Sequence, residues 1–465
     1  MSDRRDNYNL LEEAWIPVLW ADGKFSRVGI REALAEAGRI RQLAASNPMD
    51  RVAVLRFLLA LLYWCKGNPP DAAVAVPVRA FPPGWFTRLD ENKELFDLLG
   101  SEPRFYQDAA AKRSRTSTDL LQEIPSGNNF WHFRHSTDGI DGLCPACCAL
   151  GLLRLPMFSV SGTPNLLAGI NGPPPVYAVR IGRSLLETLL ANWTGKGPLG
   201  TPAWVKPNEA PASGKKVPLL TGMTMLSRRV WLHGSGEPGT CIACGHSGLV
   251  ICNCESQTAG RQENELWDDP HVAYDDDTPG KAERAADLTA AGRFRMDRPW
   301  PYLLASIVGS GKFALPDRPS RVLVVGFATN KAKNIDVWER VFELPAGSRI
   351  PDTAKAALER WHSEGRRLEG RLSRAKCVGA AVSASVRPTL ETEVSSRTVD
   401  LLTDSENAWE SAAMGYRPMM QAVARSLSPG STVEAVVRRR QIGWTIPDVR
   451  PQQAKEGKRA RKGKA

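Results

Sequence analysis

The chain reads as an α+β protein: a large mixed α/β body over residues 1–350, a helical bundle over 351–450 and a basic tail over 451–465. Three observations predict this division. Short β-like runs and apolar residues at three- and four-residue spacing alternate up to about residue 345. Two Cys-x-x-Cys pairs, Cys144/Cys147 and Cys241/Cys244, fall inside that first part and predict a structural metal site there. Beyond Pro351, Ala354, Leu358, Trp361, Leu368 and Leu372 recur at heptad-like intervals, as helices packed on one another require.

Taken in order, Trp15–Trp20 and Phe25–Ile30 read as strands around a turn at Ala21-Asp22-Gly23. From Arg31 to Lys66 the pattern is helical, with Val52, Leu55, Leu58, Leu59, Leu62 and Tyr63 on one face, and Asn68-Pro69-Pro70 stops it. Trp85–Leu99 reads as a further short helix before Gly100. Then comes a polar, aromatic-studded loop, Ile124–His135, followed by the first cysteine pair and an apolar helical run from Cys148 to Leu155. Turn-rich stretches, Ser159–Asn165 and Gly169–Pro175, follow. Ser184–Trp193 reads as a helix, residues 194–217 as a long loop, and Pro218–Val272 as short β-like runs. The acidic, proline-flanked stretch Asp268–Gly280 reads as an exposed loop, and Arg321–Phe327 as a buried strand. Val399–Leu402 and Trp409–Leu427 continue the helical character of the last third.

The bulk composition narrows the class. With 465 residues, 42% hydrophobic and 24% charged, the chain has the make-up of a globular protein of two or three domains. Its most apolar run, Val52–Cys65, is interrupted by Arg56 and is too short to cross a bilayer. Met1–Tyr8 lacks the apolar core of a secretion signal, so a cytoplasmic location is expected. Nine cysteines, an odd number in a long chain, argue against a disulfide framework. The net charge of +11 favours a polyanionic partner, and part of the excess lies in the tail Lys455–Lys464.

Zinc takes four soft ligands in a tetrahedron, and each Cys-x-x-Cys turn supplies two thiolates. Cys144, Cys147, Cys241 and Cys244 therefore make a closed four-thiolate site that staples distant segments and has no open position for catalysis. Gly245 after Cys244 lets backbone amides approach the sulfurs. Cys252 and Cys254 form a competing local pair with Cys241/Cys244, and His246 is a further candidate ligand. Asp268, Asp269, His271 and Asp275–Asp277 bring acids and a histidine together, which keeps a metal-dependent nuclease as an alternative. Their spacing matches no mechanistic motif, and the chain has no G-x-x-x-x-G-K-[ST], H-E-x-x-H or G-x-S-x-G, so no catalysis is expected.

A resemblance sharpens the reading. Asn9-Leu10-Leu11 with Trp15-Ile16-Pro17-Val18, both cysteine pairs, Gly169–Gly172, Leu185–Trp193, Pro202–Pro207, Trp267–Tyr274 and Gly326–Asn330 follow in an order and spacing that resembles the CasA family. These are the large subunits of type I-E CRISPR surveillance complexes (Cascade). The resemblance spans most of residues 9–345, and the helical remainder suits the family's C-terminal four-helix bundle. It implies a non-catalytic subunit that recognises the protospacer-adjacent motif (PAM) in double-stranded DNA and starts strand separation for the R-loop. It also implies guide RNA, the other Cascade subunits and a recruited helicase–nuclease as partners, with no membrane role. Guide pairing reads the long sequence while protein reads a short duplex tag.

Carried onto this chain, the resemblance places the family's anchoring loop phenylalanine at Phe133 and a nearby polar residue at His135. The glycine loop that approaches the minor groove falls on Ser161–Asn165, with Gly162, Thr163 and Asn165 as contacts. Only one glycine remains there and Pro164 has no amide proton, which implies either an altered PAM preference or Gly162 in the reading position. The duplex-splitting hairpin tip falls on Thr329-Asn330-Lys331, with Lys331 in place of a glutamine. Arg261 is the nearest basic residue to the family's lysine finger. A zinc-containing scaffold of another ribonucleoprotein is the alternative within the binding class.

Overall fold

The computed structural model describes residues 7–69, 79–123, 142–160, 169–171, 174–194, 197–207, 216–234, 236–259, 267–272, 289–290, 293–294, 320–330, 333–344, 432–433 and 435–437. The chain divides into two compact units, one of residues 1–293 with 310–344 and the other of 294–309 with 345–465. In the second, Thr432 Oγ1 accepts a hydrogen bond from the Ala435 amide (3.2 Å) at the start of a helical turn. The bundle expected over 351–450 otherwise lies outside the described residues, as do the tail, Arg261 and Asp275–Asp277.

In the first unit, β1 (Ile16–Trp20) and β2 (Phe25–Val28) form the expected hairpin, with Ile16 opposite Val28. Helix α1 (Ile30–Ala35) follows, and then strand β3 (Ile40–Leu43) pairs with the other edge of β1. This strand divides the continuous helix expected from Arg31 onwards. Only Ile40 and Leu43 of its four residues are buried, so it has no alternation to reveal it.

Helix α2 (Pro48–Lys66) is the rod on which the unit is built. Asn47 caps it by accepting from the Met49 amide (2.9 Å), Pro48 opens its first turn, and Gly67 ends it at φ 85°. The helix is buried on all sides from Val52 to Trp64, not only on the face read from the spacing, because it is apolar around almost its whole circumference. Each fully buried Leu or Phe there contributes about 1.5–3 kcal/mol relative to exposure. The next stretch, expected as one helix, is broken: a 3-10 turn (Pro83–Trp85), helix α3 (Thr87–Glu91) and a second 3-10 turn (Lys93–Phe96).

After β4 (Ser114–Thr116), helix α4 (Pro145–Phe158) begins at Cys144 and packs its whole surface into the core. Strand β5 (Val176–Ile181) leads to α5 (Leu185–Asn192), whose N-cap Ser184 accepts from the Glu187 amide. The expected long loop 194–217 is no surface excursion throughout, since Trp204 is fully buried against Phe57, Trp64 and Tyr106. Helix α6 (Leu219–Thr224) opens the region expected to be β-like. Then come β6 (Arg228–Leu232), β7 (Glu237–Thr240), β8 (Ser247–Val250) and β9 (Asn253–Thr258). These form a three-stranded sheet, β4-β9-β6, and a separate hairpin, β7-β8.

Two two-residue strands, β10 (Thr289–Ala290) and β11 (Arg293–Phe294), precede the long hairpin of β12 (Ser320–Asn330) and β13 (Lys333–Leu344). Its pairing runs from Ser320 opposite Leu344 to Asn330 opposite Lys333, and β12 pairs with β5 on its other edge. On one face Leu323, Val325 and Phe327 join Tyr177 and Val179 in the main core, with Val337 packed against it. Arg51 of α2 forms an ion pair with Glu339 of β13, fixing the hairpin to the rod. Among the described residues no helix is long and apolar enough to cross a membrane.

Candidate functional site: a four-cysteine centre

The two Cys-x-x-Cys pairs meet. Cys144 is the N-cap of α4, with Cys147 one turn along, while Cys241 and Cys244 lie in the turn that closes the β7-β8 hairpin. Their four sulfurs all lie within 4.8 Å of one another, and Cys144 Sγ is 3.7 Å from Cys244 Sγ. A tetrahedral zinc with Zn–S near 2.3 Å requires sulfur–sulfur edges of about 3.8 Å. The same separation is far beyond a disulfide bond of about 2.05 Å. The donor set therefore fits one soft divalent cation.

Backbone bonds shape this centre. Gly245, at φ +72°, lets its amide turn back to the Cys241 carbonyl (2.8 Å), while the Cys241 amide donates to the His246 carbonyl (2.8 Å). Leu143 and Ile251 exchange amide–carbonyl bonds of 3.0 and 2.8 Å, so the segments carrying the two pairs are stitched together beside the sulfurs. Cys144, Cys147 and Cys241 are buried and Cys244 is exposed. Hydrogen bonds from the Cys144 and Cys147 thiols hold Cys241 far below the usual thiol range. Hydrogen bonding with Cys144, followed by Cys241 and burial, pushes Cys147 up.

Arg27 of β2 also hydrogen-bonds Cys244; burial lowers its pKa, but that bond and the nearby sulfurs raise it overall. The competing ligands fall outside this group. Cys254 is buried in β9 with its thiol directed at the Thr116 carbonyl (3.4 Å), and neither Cys252 nor His246 joins the cluster of sulfurs. Cys144, Cys147, Cys241 and Cys244 are the one such ligand group among the described residues.

Of the acidic stretch only residues 268–272 are described, and they depart from the sequence reading at Asp269 and His271. Asp268 is exposed, but Asp269 is fully buried and accepts two hydrogen bonds from Arg56 of α2, at 2.6 and 2.9 Å. Asn171 and the His271 amide donate to the same carboxylate, each at 2.9 Å. Arg56 also reaches His271 Nδ1 (3.0 Å) and lies over the Tyr177 ring. Burial alone would raise the Asp269 pKa, but the charge and hydrogen bonds of Arg56 hold it below the usual carboxylate range. Asp269 and His271 are thus committed to an internal ion-pair network, the opposite of an exposed acidic loop or an open nuclease site. A second network also reaches α2: Arg154 of α4 makes two bonds to Asp50 of α2 (2.7 and 2.8 Å) and pairs with Glu123.

These networks flank the two polar stretches singled out in the sequence. Phe133 and His135, and Gly162, Thr163 and Asn165, lie outside the described residues, as does Lys331. What precedes and follows them is described. Glu123 and Leu143 are the anchored ends around residues 124–141, and Ser159, Val160 and Asn171 those around 161–168. Asn330 ends β12, paired with Lys333, so Lys331 lies in the connection between the hairpin strands. Arg56, Arg154, Asp50, Glu123 and Arg27 were not singled out as site residues from sequence. The one available signal was Arg56, a lone charge within an otherwise apolar helical run.

Comparison with known proteins gives the family. The model of the CRISPR-associated protein Cse1 family matches residues 9–439. The chain belongs to the Cse1 family. A curated relative, CRISPR-associated protein CasA/Cse1 of Thermus thermophilus, is 29% identical over 210 residues, which is 40% of this chain and 39% of the relative. That alignment therefore spans well under half of the relative's length. The fold resembles the crystal structure of Thermobifida fusca Cse1, with a TM-score of 0.66 at 19% identity over 95% of this chain and 97% of the other. It also resembles a chain of a CRISPR RNA-guided surveillance complex, with a TM-score of 0.62 at 14% identity over 95% and 99% of the two chains. The Cse1 architecture expected from the resemblance is thus present in the described body, and its cysteine centre is a feature of this chain's own geometry.

Proposed function

We propose that this protein is the large subunit of a type I-E CRISPR surveillance complex, without catalytic activity of its own. It reads the PAM in double-stranded DNA, begins strand separation for the R-loop and helps recruit the helicase–nuclease. The observation that carries this reading is membership of the Cse1 family over residues 9–439. The arrangement of the body supports it: the first strand of a long hairpin ends at Asn330, and the residues bordering the two polar stretches are anchored. In this reading the chain falls into the body of residues 1–350, a four-helix bundle over 351–450 and the basic tail.

Phe133 and His135 anchor the subunit to the guide RNA end. Gly162, Thr163 and Asn165 approach the minor groove, whose degenerate code favours tolerance of several motifs. Asn330 and Lys331 sit at the fork, where the lysine holds a backbone phosphate as a point charge. Arg261 adds a basic contact. Cys144, Cys147, Cys241 and Cys244 hold one zinc, which supplies folding energy by clamping α4 to the β7-β8 hairpin. The protein works in the cytoplasm with guide RNA, the other subunits and target duplex.

The test is reconstitution. The full chain is added to a guide-RNA complex lacking its large subunit, and bound duplexes are selected from a pool randomised beside the target. Enrichment of a short motif on one side supports the reading, and uniform recovery refutes it. Cleavage of the pool by the chain alone with divalent metal, lost in Asp268→Ala, would instead favour a nuclease.

A further inference from the structure

Each polar loop of the proposed function has one end tied to α2 through a buried arginine. Glu123, immediately before residues 124–141, accepts from Asn47 Nδ2 (3.0 Å) and pairs with Arg154, which is held by Asp50. Asn171, three residues after 161–168, donates to Asp269 (2.9 Å) and the Tyr177 hydroxyl (3.3 Å), and Asp269 is held by Arg56. Asn47 caps α2, and Asp50 and Arg56 both lie on it, six positions apart, about 9 Å along its axis at 1.5 Å per residue. The other ends are held elsewhere. Leu143 exchanges two backbone bonds with Ile251, Ser159 Oγ lies 2.6 Å from Ser227 Oγ, and Arg228 donates to the Val160 carbonyl (2.9 Å).

We propose that Glu123 and Asn171 are positioning residues, each setting one nucleic-acid loop from the common rod α2. This rests on the functional reading above, in which residues 124–141 meet the guide-RNA complex and residues 161–168 meet the duplex. The networks are larger than burial of the ion pairs demands. Asp50 takes two bonds from Arg154 and Asp269 takes two from Arg56, so each buried cation keeps a carboxylate partner without Glu123 or Asn171. What the two residues add is a link from each pair to the chain entering or leaving a loop. A contact surface held by rigid supports keeps its geometry, and one left loose loses binding without losing the fold.

The structure therefore assigns separable effects to two mild substitutions, measured on the full chain added to a guide-RNA complex lacking it. Glu123→Ala should weaken association with that complex about tenfold, equivalent to about 1.4 kcal/mol, and leave the affinity ratio for duplexes with and without the preferred motif within about twofold. Asn171→Ala should do the reverse, lowering the ratio about tenfold and leaving association within about twofold. Both should keep metal content and a thermal midpoint within about 2 °C of the parent. Glu123→Gln, which retains the acceptor oxygen, should recover most of the lost association. Parallel loss of both quantities in both variants, or no change in either, overturns the assignment when Phe133→Ala and Gly162→Val do impair binding. If those two loop variants are also silent, the reading of the loops as nucleic-acid contacts fails, and this proposal fails with it.

Discussion

Asp269→Ala is the perturbation whose cost can be worked most fully from the structure. Its carboxylate is fully buried, takes both hydrogen bonds from Arg56 and one each from Asn171 and the His271 amide. Removing it leaves the Arg56 guanidinium, itself 3% exposed, without its carboxylate in the core. Breaking one member of such a pair costs about 3–5 kcal/mol. The first unit has about 330 residues, and an unfolding entropy of about 2.1 cal/mol/K per residue gives roughly 0.7 kcal/mol/K. The expected fall in thermal midpoint is therefore about 4–7 °C by calorimetry at neutral pH. Arg56→Met/Asp269→Leu, which removes both charges, should recover most of that loss.

The pH dependence follows from the sign of the shift. Asp269 is held below its ordinary value, so its contribution is complete above the unfolded carboxylate pKa and is lost as pH falls through the folded one. The gap between parent and Asp269→Ala should stay constant from about pH 8 to pH 5 and narrow only below about pH 4. A midpoint change below about 1 °C, or a gap that widens in acid, would refute the ion-pair account.

The remaining predictions concern the metal and the DNA. Elemental analysis of the purified chain should give about one zinc per chain, lost in Cys144→Ser and Cys241→Ser and kept in Cys254→Ala. Metal kept by Cys144→Ser but lost from Cys254→Ala would contradict the four-sulfur centre. Acid should release the ion, because protons compete for the thiolates, and the thermal midpoint should fall with it as chelation is titrated. Lys331→Ala should slow R-loop formation about tenfold and leave association with the guide-RNA complex unchanged, equal rates arguing against a role at the fork. Binding of the isolated chain to duplex DNA should be weak and fall steeply with salt, and a flat salt dependence would exclude phosphate-dominated contact.

The parts of the fold that announced themselves were those with a strong local signature. The β1-β2 hairpin has a Gly23 turn between apolar runs, α5 has a Ser184 cap, and β12 is continuously apolar because it is buried on both faces. Strand β3 was hidden because four residues between two helices have no room for a period. The Trp85–Leu99 segment broke up because tertiary contacts of Trp85, Phe86 and Phe96 override its weak helical spacing. At the candidate site, the four cysteines were legible because soft-metal chemistry demands a fixed residue type in a fixed turn. The two arginine networks were not. Their members are separated by as many as 215 positions, and no spacing rule links Arg56 to Asp269 or His271. Proline-flanked aspartates look solvated until a buried cation is known to face one of them.

The most direct test of the central claim is R-loop formation on a supercoiled target by a guide-RNA complex, with and without this chain. The account predicts that the chain raises the rate strongly on targets bearing one short flanking motif and little on targets without it. A complex that opens both targets equally well, or that gains nothing from the chain, would contradict it.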